Sequence, residues 1–233
     1  MSSQWQYLLN NLGAWQGHFI KLSPHGEERS RQPSCTTLEG LDNNQTIRQT
    51  VQVGDQVRVW QYSHLARSVL VLPNGAFSQG STQYTPVGEF GAELGLMHRT
   101  AAIAQRLRLV LLFQRGELQE ITLIPEHLPD SPQIIPNPIH PQTIPKAWQG
   151  ESFTVYADWR SPTTEISQWD LSNLGVVLPY QAIAQFPNPI PQRSPFSLSV
   201  FWLAQPDLLY QLSRHYDQRG GWTALTLCTL RPR

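Results

Sequence analysis

The chain has 233 residues, 40% of them hydrophobic and only 15% charged, with 17 basic residues balancing 17 acidic ones. That hydrophobic content sustains a folded core and excludes a disordered chain, while the lack of a basic block argues against nucleic-acid binding, which needs Lys and Arg clustered on phosphates. No stretch reaches the roughly 18 apolar residues of a membrane span. The start, MSSQWQYLLNNLG, lacks the charged and continuously apolar regions of a signal peptide, so the expected location is the cytoplasm. Cys35 and Cys228 lie far apart and are expected to stay reduced there.

In chain order, the first element is a short helix. Trp5, Leu8, Leu9 and Leu12 recur at one helical face. Ser2 or Ser3 is placed to cap its start and Gly13 to end it. Strands follow. HFIKL, SCTTLEGL, TIRQTVQV, QVRVWQY and SVLVL are short β-rich runs separated by PHGE, DNN, VGD and PNG, which carry turn chemistry. In RLRLVLLFQ the residues Leu107, Leu109, Leu111 and Phe113 alternate with Arg106 and Arg108, so the two sets face opposite sides of a strand. Arg115-Gly116 then turns into ELQEITLIPEH, a hairpin in which Gly116 is free to take a positive φ, with the turn type left open by Arg115.

Between Leu123 and Trp148 the texture changes. Seven prolines, Pro125, Pro129, Pro132, Pro136, Pro138, Pro141 and Pro145, exclude a helix or a central strand. An extended linker is expected, lying on the protein through Ile134, Ile135, Ile139 and Ile144. AWQG then occurs a second time, at 147–150 after 14–17, again followed by a strand-like run. The closing runs SPFSLSVFWLA, DLLYQLSRHYD and GGWTALTLCTL match those of the first half in length and turn placement, while 161–195 is less regular. The pattern predicts an all-β chain made by duplication: two lipocalin- or calycin-like antiparallel β-barrels, with a short N-terminal helix and a proline-rich linker. The expected units are residues 1–127, the fuller barrel with its helix, 128–146, the linker, and 147–233, a shorter barrel.

Catalytic signatures are missing. GAFSQG around Ser78 has the wrong spacing for a nucleophile elbow, and Gly88, Gly91 and Gly95 do not form a dinucleotide fingerprint. No two of the seven histidines sit at a metal-ligand spacing, so neither metal nor cofactor is expected. Glu89 with Glu93, and Glu117 with Glu120, read as solvated strand ends. The eight tryptophans say more. Trp15 and Trp148 are expected to plug the barrel ends with the indole N–H on a nearby carbonyl. Trp60 and Trp202, mid-strand, suit either packing or the wall of a pocket for a flat apolar ligand. Trp159 and Trp169 are candidates for interface anchors. Arg48, Arg58, Arg106 and Arg108 are available to a ligand carboxylate, with surface pairing as their default.

QWQYLLNNLGAWQGHFIKLSPHGE, SCTTLEGLDNNQTIRQTVQ and the terminal GGWTALTLCTLRPR resemble a cyanobacterial and plastid family long known only as a domain of unknown function. Its chloroplast member is the biogenesis factor required for ATP synthase. The resemblance implies a calycin-like fold of two barrels and a non-enzymatic accessory role, binding subunits of the ATP synthase catalytic head such as β and γ. The alternative from the same fold is a binder of a bilin or lipid, or a lyase that attaches bilins. The resemblance marks no contact residues.

Overall fold

The computed structural model describes residues 3–140, 142, 144–170 and 175–233. The expected cap at Ser2 lies outside the described residues, as does the side chain of Ser3. Helix α1 (Ser3–Leu8) runs into a 3-10 turn (Leu9–Asn11), and Gly13 takes a φ of 128° as the first strand begins. Nine strands follow: β1 (Gly13–Leu22), β2 (Glu28–Leu41), β3 (Thr46–Val53), β4 (Gln56–Tyr62), β5 (Leu70–Val71), β6 (Phe77–Gly80), β7 (Glu89–Arg99), β8 (Ala104–Gln114) and β9 (Glu117–His127). They form one antiparallel sheet in the order β4-β3-β2-β1-β9-β8-β7-β6-β5. The hairpin β8–β9 turns with φ of 53° at Arg115 and 83° at Gly116, so both central residues are left-handed, which matches the twist of the strands they join.

Seven more strands, β10 (Ala147–Tyr156), β11 (Thr163–Asp170), β12 (Val176–Leu178), β13 (Ala182–Gln185), β14 (Phe196–Gln205), β15 (Leu208–Tyr216) and β16 (Trp222–Pro232), form a second antiparallel sheet. Its order is β11-β10-β16-β15-β14-β13-β12. Removing β3 and β4 from the first sheet leaves an order that this one repeats strand for strand. The stretch 161–195, irregular in its sequence, therefore supplies β11, β12 and β13; Leu171, Ser172, Asn173 and Leu174 within it lie outside the described residues.

The two AWQG copies play one part in both sheets. Trp15 and Trp148 are buried on the inner faces of their sheets, and their Nε1 atoms donate to Asn11 O at 2.8 Å and Pro145 O at 2.6 Å. A side chain at Gly17 would collide with the carbonyl oxygen of Pro125 on β9, and one at Gly150 with that of Thr229 on β16. Each glycine thus lets the first strand of its sheet approach the last, the close backbone contact that only glycine permits.

Each sheet curls round one face. Ile47 of β3, Tyr62 of β4 and Val71 of β5 come from opposite ends of the first sheet yet share a cluster with Trp5, Leu8 and Trp15. Trp169 of β11 and Ile183 of β13 do the same around Trp148. Both sheets are open half-barrels, all-β as the sequence pattern predicts. Their outer faces pack on one another. Leu107, Leu109, Leu111 and Phe113 of β8 share a core with Leu198, Val200 and Trp202 of β14 and Leu212 and Tyr216 of β15. Tyr84 and Phe90 of the first half meet Phe196 of the second edge to face, with centroids 5.6 and 6.0 Å apart. Arg214 of β15, fully buried, donates to Ser78 Oγ at 3.1 Å and Ser81 O at 3.0 Å in the other sheet, and its guanidinium sits 3.5 Å from the Trp222 ring centre.

The linker lies on the protein as its isoleucines suggest. Ile134 enters the shared core, while Ile139 and Ile144 cover the inner face of the second sheet, which has no counterpart of β3 and β4. Ile135 alone of the four is well exposed.

Because the core is shared, the two sheets should unfold together. Leu212→Ala, in β15, should cost about 2–5 kcal/mol and lower hydrogen-exchange protection in β8 as much as in β15; loss confined to the second sheet would show independent halves. Gly17→Ala and Gly150→Ala should each lower stability in urea melts by about 1–3 kcal/mol through overpacking.

Candidate functional site

The inner face of the first sheet encloses a cavity of about 390 Å³. Leu38 of β2, Tyr62 of β4, Val71 of β5 and Phe77 of β6 line it, with Leu8 of the helix and Leu65 and Val69 of the β4–β5 connection. Exposed His64, Ala66 and Gln79 stand at its rim.

Its polar end is built by β8. Strand alternation sends Leu107 and Leu109 outward to the shared core and Arg106 and Arg108 inward. Opposite Arg106 on β9 is Glu126, itself fully buried. Arg106 Nε donates to Glu126 Oε2 at 2.7 Å, and Arg108 takes both carboxylate oxygens at 2.9 Å through Nε and Nη2. Arg108 Nη1 reaches Glu93 Oε1 at 2.8 Å, and its Nη2 reaches Thr36 Oγ1 at 3.2 Å. Arg106 Nη1 donates to Asn11 Oδ1 at 3.1 Å, and its guanidinium carbon lies 4.5 Å from the Trp15 ring centre. Two cations and two anions thus cancel in a largely buried site, the arrangement that lets charges be buried at all.

The pKa directions follow from that pairing. Burial alone would raise the Glu126 carboxyl, but Arg106 and Arg108 more than reverse it and hold it below its ordinary value. Burial opposes the charge of Arg108, and Glu126 and Glu93 overcome it, so Arg108 is held more firmly protonated than a free arginine. For Arg106 burial wins over Glu126, and its pKa is lowered. Burial pushes the Tyr62 phenol up to about 12, with Arg106 acting in the opposite sense, so it is a neutral group near pH 7.

Of the residues singled out in the sequence, the structure brings Arg106 and Arg108 together in this cavity. Their default reading as surface pairs is corrected: both are buried, because β8 is covered on both faces. Glu93 is likewise no solvated strand end but the partner of Arg108, whereas Glu120 meets Lys21 near the surface. Trp202 lies in the shared core, its ring centre 6.3 Å from those of His98 and Tyr210. Trp60 projects from edge strand β4 and is 46% exposed, apart from the residues that line the cavity. Arg58 is exposed on the same strand, and Arg48 stands 3.9 Å from Glu39. Trp159 is exposed, with a φ of 63°, and lines a groove with Trp5, His64 and Leu65. Trp169 is half-buried against Phe201. Cys35 and Cys228 are free thiols. Glu126, Asn11 and Thr36 carry no sequence signal of their own; only the strand register brings them to the arginines.

Residues 1–131 match the family model of the N-terminal domain of DUF3598, a domain of unknown function. The chain belongs to the DUF3598 family. Residues 167–231 match a second model, the C-terminal domain of biogenesis factor required for ATP synthase 1. A DUF3598 protein of unknown function from Nostoc punctiforme is 32% identical over the whole of both chains, with a TM-score of 0.88. Both sheets and the linker between them thus belong to the fold that the two chains share. The S-type phycobiliprotein lyase CpeS from Guillardia theta aligns over 98% of this chain and 91% of its own at 9% identity, but with a TM-score of 0.20 that likeness carries no argument. No curated protein matches the chain. Among the described residues no helix is long and apolar enough to cross a membrane.

A carboxylate held below its ordinary value of 4.5 contributes stability that is complete above its unfolded pKa and is lost as pH falls through its folded pKa. Glu126→Gln should therefore cost about 3–5 kcal/mol at pH 7, because it leaves buried guanidiniums underpaired. The deficit relative to the wild type should shrink as pH falls below the ordinary carboxylate value. Urea melts across pH check this, and a deficit of constant size would contradict it.

Proposed function

We propose that this protein is a non-enzymatic assembly factor that binds subunits of the ATP synthase catalytic head. The observation that carries the reading is the match of residues 167–231 to the C-terminal domain of an ATP synthase biogenesis factor. That span takes in β12 to β16, the strands that pack against the first sheet.

The surface supports a role in protein contact. Edge strand β4 is exposed as far as Gln61, before Tyr62 turns into the inner cluster, with Val57 and Val59 on one face and Trp60 on the other, all about half exposed. An edge strand presents unpaired N–H and C=O groups to any strand that approaches it. Exposed Trp159 and Ile166 offer apolar area on the second half, and tryptophan is enriched among residues that dominate binding energy. A cytoplasmic site of action suits a factor that meets subunits before they join the complex.

Tagged protein mixed with isolated α, β and γ subunits should retain β or γ. Trp60→Ala and Trp159→Ala should each weaken capture by about tenfold, the scale of an interface residue that matters, with unchanged melting. Retention of none of the three subunits would overturn the reading. Capture that is indifferent to both substitutions would move the contact away from β4 and the Trp159 turn.

A further inference from the structure

Strand β4 is the outermost strand of the first sheet, and its free edge lacks the devices that keep edges apart, namely brevity, lysine, proline or a bulge. The opposite edge of the sheet, β5, is two residues long. β4 has seven residues, QVRVWQY, without lysine or proline, and it pairs with β3 with no shift of register. Gln56 to Gln61 are all exposed. Its turn fixes which backbone groups face outward. β3 and β4 are joined by two residues, Gly54 and Asp55, with Gly54 at a φ of 55°. A hairpin with a two-residue loop closes on a hydrogen-bonded pair, here Val53 and Gln56, and bonded and non-bonded pairs alternate from there. Gln56, Arg58 and Trp60 therefore turn their N–H and C=O groups to β3, while Val57, Val59 and Gln61 turn theirs to the free edge.

The strand is complementary to itself. Laid antiparallel against a second β4 about its middle residue, Val59 faces the second Val59, and the two exchange both backbone hydrogen bonds. Val57 and Gln61 do the same with Gln61 and Val57 of the second copy. Arg58 then falls opposite Trp60, twice, at the non-bonded pairs, where facing Cα atoms are closest, about 4.5 Å apart. A guanidinium against an indole face is an attractive contact. On the other face Val57 and Val59 of both copies form one apolar strip. Other registers fit less well. Centring on Arg58 sets two guanidiniums directly opposite, a like-charge pair. Centring on Trp60 runs the pairing past the end of the strand and calls on Tyr62, whose ring is turned to Trp5.

We propose that this protein forms a two-fold dimer in which β4 of each copy pairs antiparallel about Val59, so that the two nine-stranded sheets become one. Such a contact is isologous and closes on itself. Confined to one strand pair, it belongs at the small end of specific interfaces, below about 1,200 Å². The dimer is therefore reversible, with a Kd on the order of 10 µM. Trp60 is covered in it, so self-pairing and the subunit capture proposed above exclude each other on this edge. In dilute protein the edge is free.

Sedimentation equilibrium of the full chain from about 1 to 200 µM, a range that brackets the expected Kd, should show monomers passing to dimers and nothing larger. Arg58→Glu should weaken the dimer about tenfold, the scale of two cation–π contacts, with an unchanged melting temperature. The double variant Arg58→Trp, Trp60→Arg exchanges the members of each facing pair and should restore dimerisation. In a Cys35→Ser background, Val59→Cys should cross-link on oxidation by copper–phenanthroline in air, because facing Cα atoms of a bonded pair lie about 5.5 Å apart. Val57→Cys, on the same face and equally exposed, should not cross-link. A chain that stays monomeric throughout overturns the proposal. So do equal cross-linking through Val57 and Val59, an exchange variant that fails to restore the dimer, and growth into larger assemblies, which is the mark of β4 pairing with a different edge. No synthase subunit takes part, so none of these outcomes bears on subunit capture.

Discussion

The structure depends on the burial of both faces of β7, β8 and β9. One face meets the second sheet and the other meets the inside of its own half-barrel. Leu109 and Leu111 are wholly buried on the first face, and Arg106 and Arg108 nearly so on the second. This explains how a chain with so few charged residues still carries arginines on a central strand. Those arginines are shielded from bulk solvent, and their charges are met inside the protein. Glu126 and Glu93 meet them, and Asn11 and Thr36 take further donors. Where no carboxylate is to hand, as at Arg214, carbonyls, hydroxyls and an aromatic face do the same work. A guanidinium suits such sites because its donors spread over a plane and it stacks on rings.

The same burial ties the halves together. A half-barrel that packed only around its own inner face would be an independent unit, and its partner would be free to move. Here the larger core lies between the sheets, and polar contacts cross it: Arg214 to Ser78, His98 to Tyr210 at 3.2 Å, and Arg31 to Tyr180 at 2.6 Å. The duplicated unit is therefore joined back to back rather than strung in line.

Duplication has been followed by divergence. The first copy keeps β3 and β4, which wall a cavity; the second lacks them, and linker isoleucines cover its inner face. What is common to both is the framework. An indole on an upstream carbonyl closes each inner face, and a glycine two residues on admits the last strand. The motif marks architecture; the parts that differ are the cavity walled by β3 and β4 on one side and the face covered by linker isoleucines on the other.

By itself the sequence determined the local elements and their kinship. The Trp5 and Leu8 stripe made a helix, the alternation about Leu107 made a strand with two unlike faces, the prolines broke the chain into two stretches of strand, and AWQG marked the start of each. These follow from backbone preferences and from periods of two and 3.6, which neighbouring residues alone establish. Tertiary structure decided which faces are wet. Read singly, Arg106 and Arg108 are surface residues and Glu126 has no role. Counting back from the Arg115-Gly116 turn would even set Pro125 opposite Arg106 and turn Glu126 to the other face. A bulge between Leu112 and Phe113 shifts the register by one residue and brings Glu126 opposite Arg106. A one-residue slip reverses every side chain of a strand, and nothing local in the sequence announces it. The polar end of the cavity and its charge balance rest on that shift and on the second sheet behind β8, contacts between residues far apart in the chain.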